Sequence, residues 1–255
     1  MALDAGTAQL LHKALTSSGD ELLTILQQSD LEIVQTALRN RALTENHLLA
    51  LLKRRDLGEE HLKGICRLTI TESSHNVKVA IARHPNTPAH ELLKILPHLY
   101  LFELLNFCLL AGITPDQKLA AERTIIQRLP LTPLGNKLTL ARRATPFLLE
   151  ALLKEGDPRL VEICLTNPKL KEGALFQFLR SGKATAETIS MAARHPRWQS
   201  SPNLKEAILT NPRTPLIWFV LWLPGMKTAD LKRLIASNRL TSQQKKAVEE
   251  RLQRS

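Results

Sequence analysis

Six arginines and one tryptophan in the second half of the chain carry the sharpest chemical signal: Arg142, Arg143, Arg194, Arg197, Trp198, Arg213 and Arg239. A guanidinium offers a fixed fork of donors that matches a carboxylate or a phosphate, and an indole can stack on a base or anchor a partner peptide. These seven are the expected partner- or phosphate-binding residues. Cys66, Cys108 and Cys164 align three residues before a recurrent helix stop, where other segments place Ala37, Ile81, Ala192, Ile208 and Ile235. That position is apolar, so the three read as unpaired core thiols, set in non-adjacent segments too far apart to share a metal. His47, His61, His75, His90 and His98 show no HxxxH or HExxH spacing, while His84 and His195 stand where other segments have Asn and read as backbone caps. Ser73-Ser74-His75 reads as a turn, and no phosphate-cradling glycine loop or nucleophile elbow occurs. No catalytic residue, metal or cofactor is expected, and the chain does not read as an enzyme.

The elements that must position the arginines follow from Val77 to Leu96, VKVAIARHPNTPAHELLKIL. Val77, Ala80, Ile81 and Ala82 share a helical face, and Pro85 pushes His84 out of the α region, ending that helix. Thr87 is placed to cap the next helix and Pro88 to open it, with Leu92, Leu93, Ile95 and Leu96 as its core side. A unit this short cannot bury its apolar face alone and implies stacked neighbours. Related segments align on Asn40, Thr69, His84, Ala111, Arg142, Asn167, His195, Asn211 and Asn238, most of them 25 to 31 residues apart. Stacked in register, the arginines near these stops would form a row able to track a phosphate backbone. Arginine at a helix C-terminus also has a local explanation, because it stabilises exposed carbonyls and the macrodipole.

Thr-Pro restarts occur at Thr87-Pro88, Thr114-Pro115, Thr145-Pro146 and Thr214-Pro215, and the full Asn/His-Pro-x-Thr-Pro form stands at His84 to Pro88 and at Asn211 to Pro215. In these motifs the chain resembles the leucine-rich repeat variant family over roughly residues 31 to 242. The resemblance implies an α-helix alternating with a short 3₁₀-type helix in a right-handed superhelix. A HEAT-like α-solenoid is the near alternative. The family's iron–sulfur member type has an N-terminal cysteine-rich segment, whereas residues 1–65 here contain no Cys, so that cofactor is not expected.

The fold class expected is all-α, an α-solenoid of short helical repeats. Residues 1–30 read as N-terminal capping helices, 31–240 as the repeat array with a bend near 113–145, and 241–255 as a C-terminal capping helix. Amphipathic Thr7 to Leu15 is expected to bury Leu10, Leu11 and Leu15, with capping boxes at Ser18/Glu21 and Ser29/Glu32. The tryptophan-rich stretch PLIWFVLWLP reads as the buried centre of the C-terminal half, with Trp198 set to project into a groove. The N-terminus lacks a basic region before an apolar core, no apolar run spans a bilayer, and three unpaired cysteines suit a reducing compartment, so a cytoplasmic protein is expected.

Charge separates the two halves. Residues 1–130 hold 14 Lys+Arg and 14 Asp+Glu, and residues 131–255 hold 21 and 10, so the net +11 lies wholly in the second part. Such asymmetry points to an acidic partner. Two functions are consistent with it: a non-enzymatic scaffold holding a protein or peptide on the basic C-terminal half, or a nucleic-acid-binding solenoid gripping phosphates through the arginine row. A base-excision enzyme of the DNA-alkylation-repeat type would rest on fold analogy alone.

Overall fold

A computed structural model describes residues 5–254, and all their regular structure is helical, with no strand among the described residues. Residues 1–4 and 255, the outermost parts of the two expected caps, lie outside the described residues. The chain divides into two compact units, 1–127 and 128–255, and the division falls inside the stretch expected to bend.

The first unit contains α1 (Ala5–Thr16), α2 (Gly19–Leu26), α3 (Leu31–Ala37), α4 (Glu45–Leu51), α5 (Glu59–Cys66), α6 (Thr69–Ser73), α7 (His75–Arg83), α8 (Ala89–Ile95), a 3₁₀ turn at Leu96–His98, α9 (Leu101–Cys108) and α10 (Pro115–Arg128). The second contains a 3₁₀ turn at Leu129–Leu131, then α11 (Leu134–Arg143), α12 (Pro146–Leu153), α13 (Pro158–Thr166), α14 (Glu172–Leu179), α15 (Ala186–Arg194), α16 (Pro202–Leu209), α17 (Leu216–Trp222), a 3₁₀ turn at Leu223–Gly225, α18 (Thr228–Ala236) and α19 (Ser242–Gln253).

These units are two copies of one module. α4 begins at Glu45 and α14 at Glu172, an offset of 127 residues (172 − 45), and α2/α12, α5/α15, α7/α16, α8/α17, α9/α18 and α10/α19 begin at the same offset. Residue types persist at that spacing: Ala14 and Ala141, Leu22 and Leu149, Asp30 and Asp157, Val34 and Val161, Asn40 and Asn167, Pro85 and Pro212. Local chemistry persists as well. Asp30 caps α3 by accepting from Glu32 N, and Asp157 caps α13 by accepting from Arg159 N, both at 2.9 Å. α1, α2 and α19 thus each have a counterpart inside the chain (α11, α12 and α10).

Helix stops follow the proline rule where proline is present. His84, Asn167 and His195 take extended ψ values of 129°, 123° and 124°, each before a proline. Elsewhere the stop is marked by an amide bonding three residues back: Leu68 to Ile65, Leu110 to Phe107 and Ser237 to Leu234, just as Asn40 bonds Ala37 and Asn211 bonds Ile208. Thr69, Ala111 and Asn238 are therefore each one residue late in the sequence alignment. Arg142 lies inside α11, whose chain turns extended only at Ala144. Asn238 is not a buried stop residue; it is exposed with φ 51°, ending α18 in the left-handed region that Gly112 (φ 85°) supplies after α9.

Several local expectations are corrected. Thr145-Pro146 places Thr at the N-cap and Pro at the first helical position, but α8 and α17 start one residue later, after Pro88 and Pro215. Freed from capping, the Thr87 hydroxyl donates back to Ile81 O at 2.6 Å, Thr71 does the same to Ile65 O at 2.6 Å, and Thr214 to Ile208 O. Each hydroxyl adds a second donor to the carbonyl that already accepts the amide of the stop residue. Ser18 makes no side-chain cap bond, and Asp30 rather than Ser29 caps α3. On α1 the buried side chain is Ala14, while Leu10 and Leu15 face solvent.

Candidate functional site

Burial decides the fate of the thiols. Cys108 and Cys164 are buried and Cys66 is half-buried; desolvation of the thiolate pushes Cys66 up to about 11 and the other two up to about 12. All three are therefore thiols near neutral pH and poor nucleophiles. Only Cys164 holds the aligned core position, since Ile65 and Phe107 take it in the segments of Cys66 and Cys108. Among the described residues no group of three or more His, Cys, Asp or Glu side chains is placed to hold a metal ion.

The stop residues tie each segment to the one before it. Asn40 Nδ2 donates to Ala14 O at 2.9 Å and Ser17 O at 2.8 Å, while its Oδ1 accepts from Ala42 N at 2.7 Å. Asn167 repeats this with Ala141 O at 2.7 Å, Arg142 O at 3.3 Å and Lys169 N at 2.9 Å. Asn211 Nδ2 donates to Leu179 O and its Oδ1 accepts from Arg213 N. His84 does the same work with a ring: Nδ1 accepts from Asn86 N at 3.2 Å, which leaves Nε2 to donate to Arg54 O at 2.7 Å. That pattern requires the neutral tautomer, and burial holds the His84 pKa below its ordinary value.

Two of the seven expected site residues belong to the same system. Arg197 donates to Asn167 O (3.0 Å), Pro168 O (3.2 Å) and Leu170 O (2.9 Å), and its guanidinium lies 4.1 Å from the Trp198 ring centroid. Arg213 donates to Gly182 O and to Ala184 O, the places at which Asn86 in the first unit bonds Arg55 O and Leu57 O. Both arginines are tied down by carbonyls of the preceding loop. Trp198 is only 5% exposed and its Nε1 donates to Leu165 O at 3.2 Å, so it fills the core instead of projecting into a groove. Gln244, which sequence reasoning passed over, does equivalent work: buried, it donates to Asn211 O, Pro212 O and Thr214 O. Its signal was the Thr-x-x-Gln capping box at Thr241, shared with Thr114 and Gln117.

The other four expected cations are exposed, as Arg197 and Arg213 also are. Arg142 and Arg143 end α11, Arg194 ends α15, and Arg239 follows α18. Arg239 lines a cleft of about 590 Å³ with Glu172, Phe176, Arg180, Glu206 and Ser237; the other expected site residues are not on its wall. The cleft is mixed in sign. Charge divides by unit: residues 1–127 hold 13 Lys+Arg and 14 Asp+Glu, residues 128–255 hold 22 and 10, giving −1 and +12.

One surface was not anticipated. α17 buries Trp218 and Phe219, but Leu216 (40%), Ile217 (55%), Val220 (66%) and Leu221 (57%) are exposed on it. Its tryptophans lie against cations: Arg194 Cζ is 6.0 Å from the Trp218 ring centroid and Lys205 Nζ is 5.8 Å from that of Trp222. No helix among the described residues is long and apolar enough to cross a membrane. Comparisons with protein-family models, with curated proteins and with solved structures find no match to this chain.

Proposed function

We propose that the protein is a non-enzymatic binding scaffold of the α-solenoid kind, related to the leucine-rich repeat variant family, with the basic second unit as its working surface for an acidic protein or peptide. The observation that carries this reading is the partition of charge between two copies of one module: the same helices at the same offset hold −1 in one unit and +12 in the other. Helix-end stabilisation cannot account for the difference, because the second unit has no more helix ends than the first, which carries the additional helix α6. The recurrent Asn/His stops, the Thr hydroxyls bonded to the preceding helix and the 3₁₀ turns after α8 and α17 support the family reading. Exposed Arg142, Arg143, Arg194 and Arg239 are the contact residues assigned to the partner.

A protein partner is favoured over nucleic acid because Arg197 and Arg213 are committed to backbone carbonyls, which takes two members from the phosphate-gripping row, and because Trp198, the expected base-stacking residue, is buried. The test is a titration of the full chain against poly-glutamate and against a DNA duplex, from about 50 to about 300 mM salt. Binding of poly-glutamate that weakens with salt and is lost when Arg142, Arg143, Arg194 and Arg239 are all changed to Glu is the expected result. Tighter binding of the duplex transfers the assignment to nucleic acid, and no binding of either polyanion at low salt overturns the proposal.

A further inference from the structure

The exposed side of α17 has a built-in control. Its counterpart α8 lies 127 residues earlier (216 − 89), so Leu216, Ile217, Val220 and Leu221 correspond to Ala89, His90, Leu93 and Lys94. The shared helix folds with His and Lys at two of these places, so packing within the module does not require four large apolar groups there. In the first unit the same helix carries a charge cluster: Glu91 meets His90 Nε2 at 3.1 Å and Lys94 Nζ at 3.2 Å. Every member is gone from the second unit, where Ile217, Trp218 and Leu221 take the places of His90, Glu91 and Lys94. In the second unit Arg194 and Lys205 lie against the Trp218 and Trp222 rings, and neither enters an ion pair among the described residues. A helical strip of apolar groups with cations alongside is complementary to an amphipathic helix whose polar positions are acidic.

We infer that the outward face of α17, Leu216, Ile217, Val220 and Leu221 with Arg194 and Lys205 at its flank, docks an acidic amphipathic helix of a protein partner. This rests on the proposed binding role and names the place and chemistry of its core contact. Leucines spaced i, i+3, i+4 and i+7 on the partner pack on the strip, and its Glu or Asp residues meet the flanking cations. The strip is about 10 Å long, which suits two turns of helix and is a small footprint for a lipid surface.

The probe is a labelled synthetic peptide of about 16 residues with leucines at that spacing and Glu elsewhere, titrated into the full chain beside a scrambled peptide of the same composition and a version with Lys for Glu. The original is expected to bind at least about tenfold more tightly than either control. Ile217→His with Leu221→Lys rebuilds the first unit's surface and adds positive charge, so simple electrostatics would strengthen binding. A loss of at least about tenfold in that variant isolates the apolar contact. Val220→Gln, on the most exposed of the four, is the second variant, and unchanged circular dichroism shows that either one folds. Equal binding of original and scrambled peptides overturns the docking site while leaving the basic-surface reading intact; failure of both acidic peptides overturns both. Preferential uptake by anionic vesicles, or a wild-type dimer that the double variant converts to monomer, assigns the strip to another occupant and overturns this one.

Discussion

Asn167→Ala tests the physical core of the architecture. The Asn167 side chain is buried and makes three hydrogen bonds, donating to Ala141 O and Arg142 O and accepting from Lys169 N. Alanine removes all three and leaves two helix-end carbonyls and one amide short of partners in a site with little access to water. With a net worth near 1 kcal/mol per bond, the expected loss is about 3 kcal/mol. All three tryptophans lie in the second unit, so indole fluorescence during urea unfolding reports on that unit. At a slope of about 2 kcal/mol/M the midpoint drops by about 1.5 M. Asn167→Asp sharpens the test, because it keeps the acceptor but turns a carboxylate oxygen toward two carbonyl oxygens. Folding raises the pKa of such a group, so this variant is weaker than alanine at pH 7 and gains stability as pH falls through the raised value, where the protonated acid regains one donor. A loss under about 0.5 kcal/mol for alanine, or a wild-type midpoint for the aspartate variant at pH 7, refutes the idea that stop residues tie successive segments together.

Four further outcomes follow from the same reasoning. Residues 128–255 produced alone are expected to unfold cooperatively with helical circular dichroism, as a self-contained module should; an unstructured product counts against the two-copy description. Because burial lowers the His84 pKa, the unfolded chain takes up the proton first: stability is full above about 6.5 and falls as pH drops from there through the folded value. Changing His84 to Asn, the residue of the second copy, should flatten that part of the pH–stability curve, and an unchanged slope excludes His84 as its source. With Cys66 up to about 11 and Cys108 and Cys164 up to about 12, a disulfide reagent at pH 8 should titrate no fast thiol in the native protein and three after unfolding; one fast thiol contradicts their burial. Asn238→Gly is expected to be neutral or stabilising by a few tenths of a kcal/mol, since that residue is exposed with φ 51°, whereas Gly at Asn167 costs as much as Ala or more.

The duplication was present in the chain before any coordinate, in pairs such as Asp30 and Asp157, Asn40 and Asn167 or Thr114 and Thr241. It was obscured by four stops without proline. Aligning on Thr69, Ala111, Arg142 and Asn238 misplaced each by one or two residues and broke a constant offset into unequal steps. At Leu68, Leu110 and Ser237 no residue type announces the end of a helix, and only the backbone bonding three residues back locates it.

What the amino-acid order determined by itself is whatever local sterics govern. Pro85 and Pro168 exclude the α region from the residue before them, and Thr145-Pro146 opens α12 with Thr at the N-cap and Pro at the first helical position. The all-helical class, Cys164 as a core thiol and the imbalance of charge belong to the same level, as does the role of His84 as a backbone cap. Tertiary structure alone decided which distant groups meet. The carbonyls that receive Arg197 lie 27 to 30 residues back along the chain, and those that receive Arg213 lie 29 to 31 back, so no local rule picks out these two arginines as the ones that bind the preceding loop. In the same way LIWFVLW has no polar residue to mark a side. Packing against Leu209, Leu231, Leu234 and Val248 buries Phe219 and leaves Ile217, Val220 and Leu221 facing water, because a helix of uniform hydrophobicity takes its orientation from its neighbours.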